Sequence, residues 1–267
     1  MAEQPDEARL LAVAVSAARA GGLHALTNWS RRHEVIMRAP HDIKLQLDVE
    51  CQQKAESVIR RAFPEHLVLG EEAAGTDERN AGSSDYRWII DPIDGTVNFS
   101  HGLPFWCTSI AVEYRGDVLA GAVFGPALDH LFTATRSTPA SLNGQPIRVS
   151  QTTDLPQAMI ATGIDRGSNL GIPPLAMFNR ITSVIQKARV FGSAALDLCR
   201  VASGHVDGYF EAGIFIWDVA AAGLIVRQAG GRTETLGVPQ GHCLRFMGSN
   251  GHIHDALRTV VDVTRFD

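Results

Sequence analysis

Two aspartates stand three positions apart at the end of an apolar run, in residues 88–96 (WIIDPIDGT). The apolar residues predict a buried strand that ends near Asp91, and the proline between the aspartates makes the turn to Asp94 stiff. Gly95 permits a positive φ, and Thr96 can cap a following helix whose free N–H groups face an anion. This stretch therefore predicts a site for a divalent cation beside a phosphate.

The same acidic turn has two other interpretations. Asp, Pro and Gly favour surface turns whatever the function, so these residues are also typical of a surface turn. A calcium-binding EF-hand matches poorly, because the ligands expected at its positions 5 and 12 are absent and the chain continues into Phe105 and Trp106. On this stretch alone, the choice between a metal site and a surface turn stays open.

Two further acidic segments lie upstream and downstream of this stretch. Residues 67–72 (LVLGEE) predict a strand that ends in paired acids, and residues 217–223 (WDVAAAG) predict the start of an alanine-rich helix. If the strand continues, only one of Glu71 and Glu72 can face a site, because neighbours on a strand point to opposite faces. Taken singly, Glu71 is also typical of a solvated strand end, and Asp218 of a helix cap.

Together, the three segments carry a resemblance to a known family. Residues 91–99 (DPIDGTVNF) resemble the signature of the inositol monophosphatase family, whose members are magnesium-dependent, lithium-sensitive phosphatases. Residues 67–72 are similar to the family's Gly-Glu-Glu element and residues 217–223 to its second signature, in the family's order and rough spacing. The resemblance spans nearly the whole chain and implies an α/β (mixed α+β) fold, a layered α-β-α-β-α sandwich.

The resemblance implies a cofactor of two to three Mg²⁺ ions and assigns their ligands. Glu71, Asp91 and the main-chain carbonyl of Ile93 would hold the first ion. Asp91 would bridge to a second ion, held also by Asp94 and Asp218. Oxygen ligands alone suit a hard cation, and the absence of His and Cys from these positions argues against zinc.

Catalytic roles are implied for Thr96, Asp48 and Glu71. Thr96 matches the threonine that orients the nucleophilic water, and Asp48 matches the aspartate that accepts a hydrogen bond from that threonine. An N-cap of the following helix explains Asp48 just as well. The chain departs from the family at residues 44–47 (KLQL), where leucines replace the usual threonines.

Substrate contacts are implied at both ends of the predicted site. The backbone N–H groups of Gly95 and Thr96 would bind phosphate oxygens. The carboxylate of Glu211 can accept hydrogen bonds from ring hydroxyls, although a strand glutamate is also often simply exposed. Residues 165–174 have no clear family match, which leaves the substrate open. The family positions that would bind substrate are Asp94, Gly95, Thr96, Gly192, Ser193, Ala194 and Glu211.

The function that the resemblance implies is hydrolysis of a small polyol phosphate, with myo-inositol 1-phosphate first. Alternatives in the same superfamily are 3′(2′),5′-bisphosphate nucleotidase, fructose-1,6-bisphosphatase and histidinol-phosphatase. Residues 97–99 (VNF) favour the inositol type, because the nucleotidase type usually shows Lys-Glu-Phe there. A metal-binding regulatory scaffold is the non-enzymatic alternative, and the retention of every carboxylate ligand and of Thr96 disfavours it. A homodimer is also implied by the resemblance alone.

The composition is that of an ordinary globular protein. The chain has 267 residues, 45% of them hydrophobic, and a formal net charge of −5. Its scattered basic residues argue against a nucleic-acid partner. The acidic residues 1–7 are unlike a signal peptide, and the apolar residues 10–18 are too few to span a bilayer, so we expect a cytoplasmic protein without a membrane partner. The cysteines are far apart and indicate neither a zinc site nor a disulfide framework.

The pattern of predicted elements changes near residue 143. A helix is predicted at residues 8–31, with a break at Gly21 and Gly22, and a second helix at residues 48–63. A hairpin at residues 34–47 lies between them, and antiparallel strands follow at residues 105–134. Strands and helices then alternate to the end of the chain. We therefore predict two sub-domains in one compact unit. Residues 1–143 would carry most metal ligands, and residues 144–267 would complete the site.

Overall fold

The first elements along the chain are two long helices with a hairpin between them. The structure, a computed structural model, describes residues 6–39, 42–73, 84–164 and 174–262. Helix α1 (Glu7–Thr27) is followed by strands β1 (Val35–Ala39) and β2 (Asp42–Leu45), which pair antiparallel, and by helix α2 (Gln46–Ala62). The predicted hairpin is confirmed, although its turn at residues 40 and 41 lies outside the described residues, as does most of the polar segment 73–84.

The larger sheet of the described chain has seven strands, hydrogen-bonded in the order of the sequence. The first pair is parallel and the others are antiparallel, as predicted for residues 105–134. The short helix α3 (Thr96–His101) follows the second strand of this sheet. The strands are β3 (Leu67–Gly70), β4 (Tyr86–Asp94), β5 (Cys107–Tyr114), β6 (Asp117–Gly125), β7 (His130–Thr135), β8 (Thr138–Leu142) and β9 (Gln145–Pro146).

The smaller sheet has five strands in the described chain, in the order β11-β10-β12-β14-β13. These are β10 (Met159–Thr162), β11 (Lys187–Arg189), β12 (Gly208–Phe215), β13 (Arg232–Thr235) and β14 (Cys243–Ser249). The helices of this half are α4 (Pro174–Thr182), α5 (Ala194–Ala202), α6 (Ile216–Gln228) and α7 (His254–Val261). The predicted alternation of strands and helices is confirmed, except that β13 was not predicted.

Three apolar clusters show how these elements stack. Leu10 of α1 and Ile59 of α2 pack with Trp88 on one face of the larger sheet. Ile89, the next residue of β4, points to the other face, where α5 and α6 fill the space between the two sheets. A third cluster joins the outer face of the smaller sheet to α4 and α7. The layers therefore follow the order α-β-α-β-α that the resemblance implies, while the division at residue 143 stays a prediction.

Helix α1 is long and apolar enough to cross a membrane by length and composition alone. Its small residues are nevertheless buried against the larger sheet, as in the core helix of a globular fold. The predicted break at Gly21 and Gly22 is wrong, because α1 continues through both. A Cβ at Gly22 would lie 2.8 Å from Cδ1 of Phe124, so the glycine lets the helix approach the sheet closely.

A second close approach sets the position of α6. A Cβ added to Gly121 of β6 would lie 3.0 Å from the Cα of Ala221 and 3.1 Å from its carbonyl oxygen. Backbone atoms cannot move away from an added Cβ as readily as the end of a flexible side chain can. A residue larger than glycine at position 121 would therefore push α6 away from the larger sheet.

We expect Gly121→Ala to lower the free energy of unfolding by about 1–3 kcal/mol, the usual cost of overpacking a tight core. Gly125→Ala in the same strand is the control, because its added Cβ would meet nothing nearer than 3.4 Å, the carbonyl oxygen of Trp106. The control should change the free energy by less than about 1 kcal/mol. Urea unfolding of both variants measures the difference, and equal stabilities would contradict the prediction.

Candidate functional site

Asp91 and Asp94 lie at the end of β4, where its pairing with β5 becomes irregular. Asp91 pairs with Ser109 and Asp94 with Cys107, so three steps along β4 match two along β5. On a regular strand, residues three apart point to opposite faces. The extra residue forms a bulge, a feature that re-aims side chains. The predicted stiff turn is thus a bulge within a strand, and it brings both carboxylates to one side.

Asp218 reaches the same place from the first turn of α6. Its Oδ2 accepts the backbone N–H of Phe215 at 2.7 Å, which holds the carboxylate at the start of the helix. One carboxylate oxygen from each of Asp91, Asp94 and Asp218 lies within 4.8 Å of the other two. An all-oxygen set of this kind is able to hold a hard divalent cation.

Like charges buried this close together are costly. Burial, with the neighbouring charges of Glu71 and Asp94, raises the pKa of Asp91 well above its ordinary value. Burial and nearby carboxylates raise the pKa of Asp218 in the same way. Oδ1 of Asp91 is also buried without a hydrogen-bond partner among the described residues. A divalent cation would offset both costs, so the residues present fit such an ion.

Asp94 is held by the N-terminus of α5. Its carboxylate accepts the Ser193 hydroxyl at 2.6 Å and the backbone N–H groups of Ala194 at 3.1 Å and Ala195 at 2.7 Å. These hydrogen bonds lower the pKa of Asp94, but burial outweighs them and raises it overall. Ser193 and Ala194, predicted as leaving-group contacts, therefore also position a candidate metal ligand.

The side chains of Glu71 and Glu72 lie in different places because the strand ends before them. Strand β3 ends at Gly70, and the two glutamates start a short 3₁₀ turn, so the predicted strand alternation does not apply. Glu71 lines the same cavity as Asp94 and Asp218. Glu72 instead forms an ion pair with Lys44, and its N–H donates to Oε1 of Gln52 at 2.9 Å. The structure thus brings Glu71 to the aspartates and holds Glu72 elsewhere.

Gly95 and Thr96 form the start of α3. Gly95, not Thr96, is the N-cap, with φ at 89°, a conformation that strongly favours glycine. A Cβ at Gly95 would also lie 3.0 Å from the carbonyl oxygen of Gly192. The Thr96 hydroxyl donates to the carbonyl oxygen of Ile93 at 2.8 Å. The predicted threonine and the predicted main-chain ligand are therefore in direct contact.

Asp48 is the third residue of α2 and is 2% exposed, so it is not the N-cap. Its Oδ2 accepts the backbone N–H of Leu45 at 2.7 Å, the same arrangement that Asp218 makes with the residue three before it. The departure from the family at residues 44–47 has a packing reason. Leu45 and Leu47 are fully buried in an apolar cluster with Phe99, where threonine hydroxyls would find little to bind.

A cavity of about 380 Å³ extends from Glu71, Asp94 and Asp218 toward β12 and α5. Gly192 and Ala194 line it, as does Glu211, which is half-buried and accepts the Tyr209 hydroxyl at 2.6 Å. The structure therefore places the predicted leaving-group residues on one continuous wall with the candidate metal ligands.

Two residues of this region were not predicted. Asp197 lines the cavity and is 2% exposed, and the signal in the sequence was a lone acid in the otherwise apolar start of α5. Asn98 was noted only as part of a signature. Its Nδ2 lies 2.9 Å from the carbonyl oxygen of Phe105, 2.7 Å from that of Phe191 and 3.2 Å from that of Gly192. Asn98 thus ties α3 to the segment that leads into α5.

Asn98 faces these three carbonyl oxygens with its side-chain NH₂ group, which only donates hydrogen bonds. We expect Asn98→Ala to lower the free energy of unfolding by about 1–3 kcal/mol, because it removes partly buried hydrogen bonds to two segments of the chain. Asn98→Asp should cost more at neutral pH, since it turns a carboxylate toward carbonyl oxygens at almost unchanged size. Asn179→Asp, at an exposed position of α4, is the matched control. Urea unfolding would contradict this role if Asn98→Asp were as stable as the control.

Comparison with known proteins gives the same family from independent data. A family model described as "Inositol monophosphatase family" matches residues 6–253. A Pasteurella multocida protein named Nus factor SuhB is 38% identical over 225 residues, 83% of each chain. A solved Anabaena inositol monophosphatase superposes with a TM-score of 0.82 at 32% identity, covering 96% of each chain.

A second solved structure agrees with this result. The extragenic suppressor protein suhB from Bartonella henselae has a TM-score of 0.85 at 32% identity and covers 95% of this chain and 98% of its own. The family model, the identities and the superpositions extend over both sheets and the acidic cluster between them. The chain therefore belongs to the inositol monophosphatase family.

Proposed function

We propose that the protein is a Mg²⁺-dependent phosphomonoesterase that hydrolyses a small polyol phosphate, with myo-inositol 1-phosphate as the first candidate. One observation carries the proposal. Three carboxylates, from the buried Asp91 and Asp94 and the half-buried Asp218, converge beside a cavity whose wall also carries Glu211. Such a cavity offers ligands for cations at one end and hydrogen-bond acceptors for an alcohol at the other.

The proposed ligands are those of the family. Glu71, Asp91 and the Ile93 carbonyl would hold one Mg²⁺, and Asp91, Asp94 and Asp218 a second, with two to three ions in all. When bound, such ions lower the pKa of a water and neutralise charge on the phosphate and on the leaving oxygen. The buried, mutually repelling carboxylates supply the negative charge that holds them.

Thr96 and Gly95 would act on the water and the phosphate. Because the Thr96 hydroxyl donates its hydrogen bond to the carbonyl oxygen of Ile93, its oxygen lone pairs remain to accept a hydrogen bond from the attacking water. That contact would leave a lone pair of the water directed at phosphorus. The N–H groups of Gly95 and Thr96 would bind phosphate oxygens. The role of Asp48 as the acceptor of a hydrogen bond from Thr96 stays a prediction, because here the Thr96 hydroxyl donates to Ile93 and Oδ2 of Asp48 accepts the Leu45 N–H.

The leaving alcohol would lie against Gly192, Ser193, Ala194 and Glu211, which line the cavity. Glu211 is the contact that would distinguish one alcohol from another, because its carboxylate can accept hydrogen bonds from hydroxyls remote from phosphorus. A bisphosphate nucleotide, fructose 1,6-bisphosphate and histidinol phosphate remain the alternative substrates of the same site.

A different class of function is a metal-binding regulatory scaffold. The observation that favours it is the name of the curated relative, Nus factor, which denotes a factor and not a phosphatase. The same name keeps a macromolecular partner open, so our expectation of no nucleic-acid partner stays a prediction. A cytoplasmic location and a homodimer are likewise proposals, carried by the family alone.

A phosphate-release screen of the purified protein tests the proposal. It compares myo-inositol 1-phosphate, a 3′-phosphoadenosine 5′-phosphate substrate, fructose 1,6-bisphosphate and histidinol phosphate, each with Mg²⁺ and with EDTA. We expect release that requires Mg²⁺, is fastest with the inositol phosphate and is inhibited by lithium. No release from any of these compounds would favour the scaffold.

The charge cluster gives a prediction about stability and Mg²⁺ binding as well as activity. A carboxyl whose folded pKa is raised destabilises the fold as pH increases beyond its unfolded pKa of about 3.9. We therefore expect Asp91→Asn to raise the Tm measured in EDTA at pH 7, to abolish the Tm increase caused by Mg²⁺, and to lower activity by more than about tenfold. Asp85→Asn, a remote aspartate paired with Arg115, should keep the Mg²⁺ response. Mg²⁺-dependent activity near that of the wild type would refute the ligand assignment.

Glu211 gives a prediction about the substrate. Glu211→Gln should lower kcat/KM for myo-inositol 1-phosphate by about ten- to a hundredfold, because a charge-assisted hydrogen bond is lost. Turnover of p-nitrophenyl phosphate, which has no hydroxyls at that end, should be almost unchanged. Steady-state kinetics on both compounds measure the difference. Equal effects on the two, or none on either, would remove the main reason for preferring a polyol phosphate.

A further inference from the structure

The cavity wall beyond the candidate metal ligands carries a second acid beside Glu211. Asp197 is the one acidic residue of α5 and lies about one turn into that helix. It is 2% exposed and lines the cavity together with Glu211. Its Oδ1 is buried and has no hydrogen-bond partner among the described residues. Asp197 therefore lies in the wall with one carboxyl oxygen that receives no hydrogen bond from the described part of the fold.

A buried carboxyl oxygen without a hydrogen bond destabilises the folded state. A buried polar atom that lacks a hydrogen bond loses its hydration without compensation. Burial, with the charges of Asp94 and Glu211, raises the pKa of Asp197 well above its ordinary value, and Arg200 opposes that rise only in part. Oδ1 receives no hydrogen bond from the described part of the fold, and the cavity beside Asp197 is a place from which a bound molecule could supply one.

Glu211 is built into the same wall with little freedom. The Tyr209 hydroxyl donates to its Oε2 at 2.6 Å. A Cβ added to Gly163 would lie 1.8 Å from Oε1 of Glu211, so only glycine leaves room for the carboxylate in this position. Two carboxyl groups, one from β12 and one from α5, are therefore presented to the same end of the cavity.

The charge of this wall limits what can bind there. None of the described residues that line the cavity is Lys, Arg or His. An alcohol that carried a second phosphate would bring that phosphate toward two acids with no basic residue of the described wall beside it. An alcohol rich in hydroxyls would instead donate hydrogen bonds to both. The acidic residues that line the cavity are Glu71, Asp94, Asp197, Glu211 and Asp218.

We propose that Asp197 and Glu211 together form a subsite for the hydroxyl groups of the leaving alcohol. Asp197 is then a specificity residue, and the subsite selects monophosphates of polyols over compounds with a second phosphate. This inference rests on the proposed phosphatase function and adds to it a requirement on the alcohol. It also gives a role to the buried acid in the otherwise apolar start of α5.

Kinetics of Asp197→Asn and Asp197→Leu with three compounds test the subsite. Both variants should lower kcat/KM for myo-inositol 1-phosphate by roughly tenfold, mainly through KM, because acceptors for hydroxyls are weakened or lost. Turnover of p-nitrophenyl phosphate should stay within about threefold of the wild type. The ratio of fructose 1,6-bisphosphate to inositol phosphate turnover should rise. Asp255→Asn, at an exposed position of α7, controls for the loss of one charge.

The Tm in EDTA separates a binding role from a structural one. Removing an unpartnered buried carboxyl should leave the Tm of both variants at or above that of the wild type. A clear fall in Tm, or failure of both to fold, would overturn the subsite, as would equal losses on all three compounds or no loss with inositol phosphate. If the wild type released phosphate from none of the compounds, the phosphatase proposal itself would fail, whatever the Tm of the variants.

Discussion

The mutual repulsion of buried carboxylates is the constraint on which the rest of this structure depends. Asp91 and Asp94 are buried and Asp218 is half-buried beside them, so the like charges are poorly screened by water. Each is held by backbone or side-chain geometry that the layers around it provide. A strand bulge re-aims one side chain, the first turn of α6 holds Asp218 through Phe215, and the N-terminus of α5 binds Asp94. Assembling this cluster lowers the free energy of unfolding of the ion-free protein.

The cluster also explains why both sheets and the layer between them are needed. Asp91 and Asp94 come from the larger sheet, whereas Asp218 and the donors to Asp94 come from the helices between the sheets. The distance between those sources is set by packing, most directly where Gly121 meets the backbone of α6. Asn98 then connects α3 to the segment before α5. A site of this kind cannot form in either half of the chain alone.

Local chemistry was predictable from the sequence, and long-range contacts were not. The strand before Asp91, the positive φ of Gly95, the helix that begins near Asp218 and the family itself follow from short motifs, and the structure and the comparisons confirm them. The bulge depends on register with β5, which lies outside the motif. The hydrogen bonds from Ser193, Ala194 and Ala195 to Asp94 span about a hundred positions of sequence, and no periodicity encodes them. Asp197 was missed because a lone acid in a helix is most often a solvated residue, and only its burial reveals it.

The charge distribution imposes an order on binding. The described wall of the cavity carries acids at both ends and no basic side chain, so this wall would repel a phosphate dianion in the ion-free protein. Cations at the cluster formed by the three aspartates would reverse the sign at that end only, and the end near Asp197 and Glu211 would stay acidic. Under the proposed function, a substrate that enters after the cations would bind in one orientation, with its phosphate at the aspartates and its hydroxyls at the opposite wall. The electrostatics would then orient the ester before any specific contact is made.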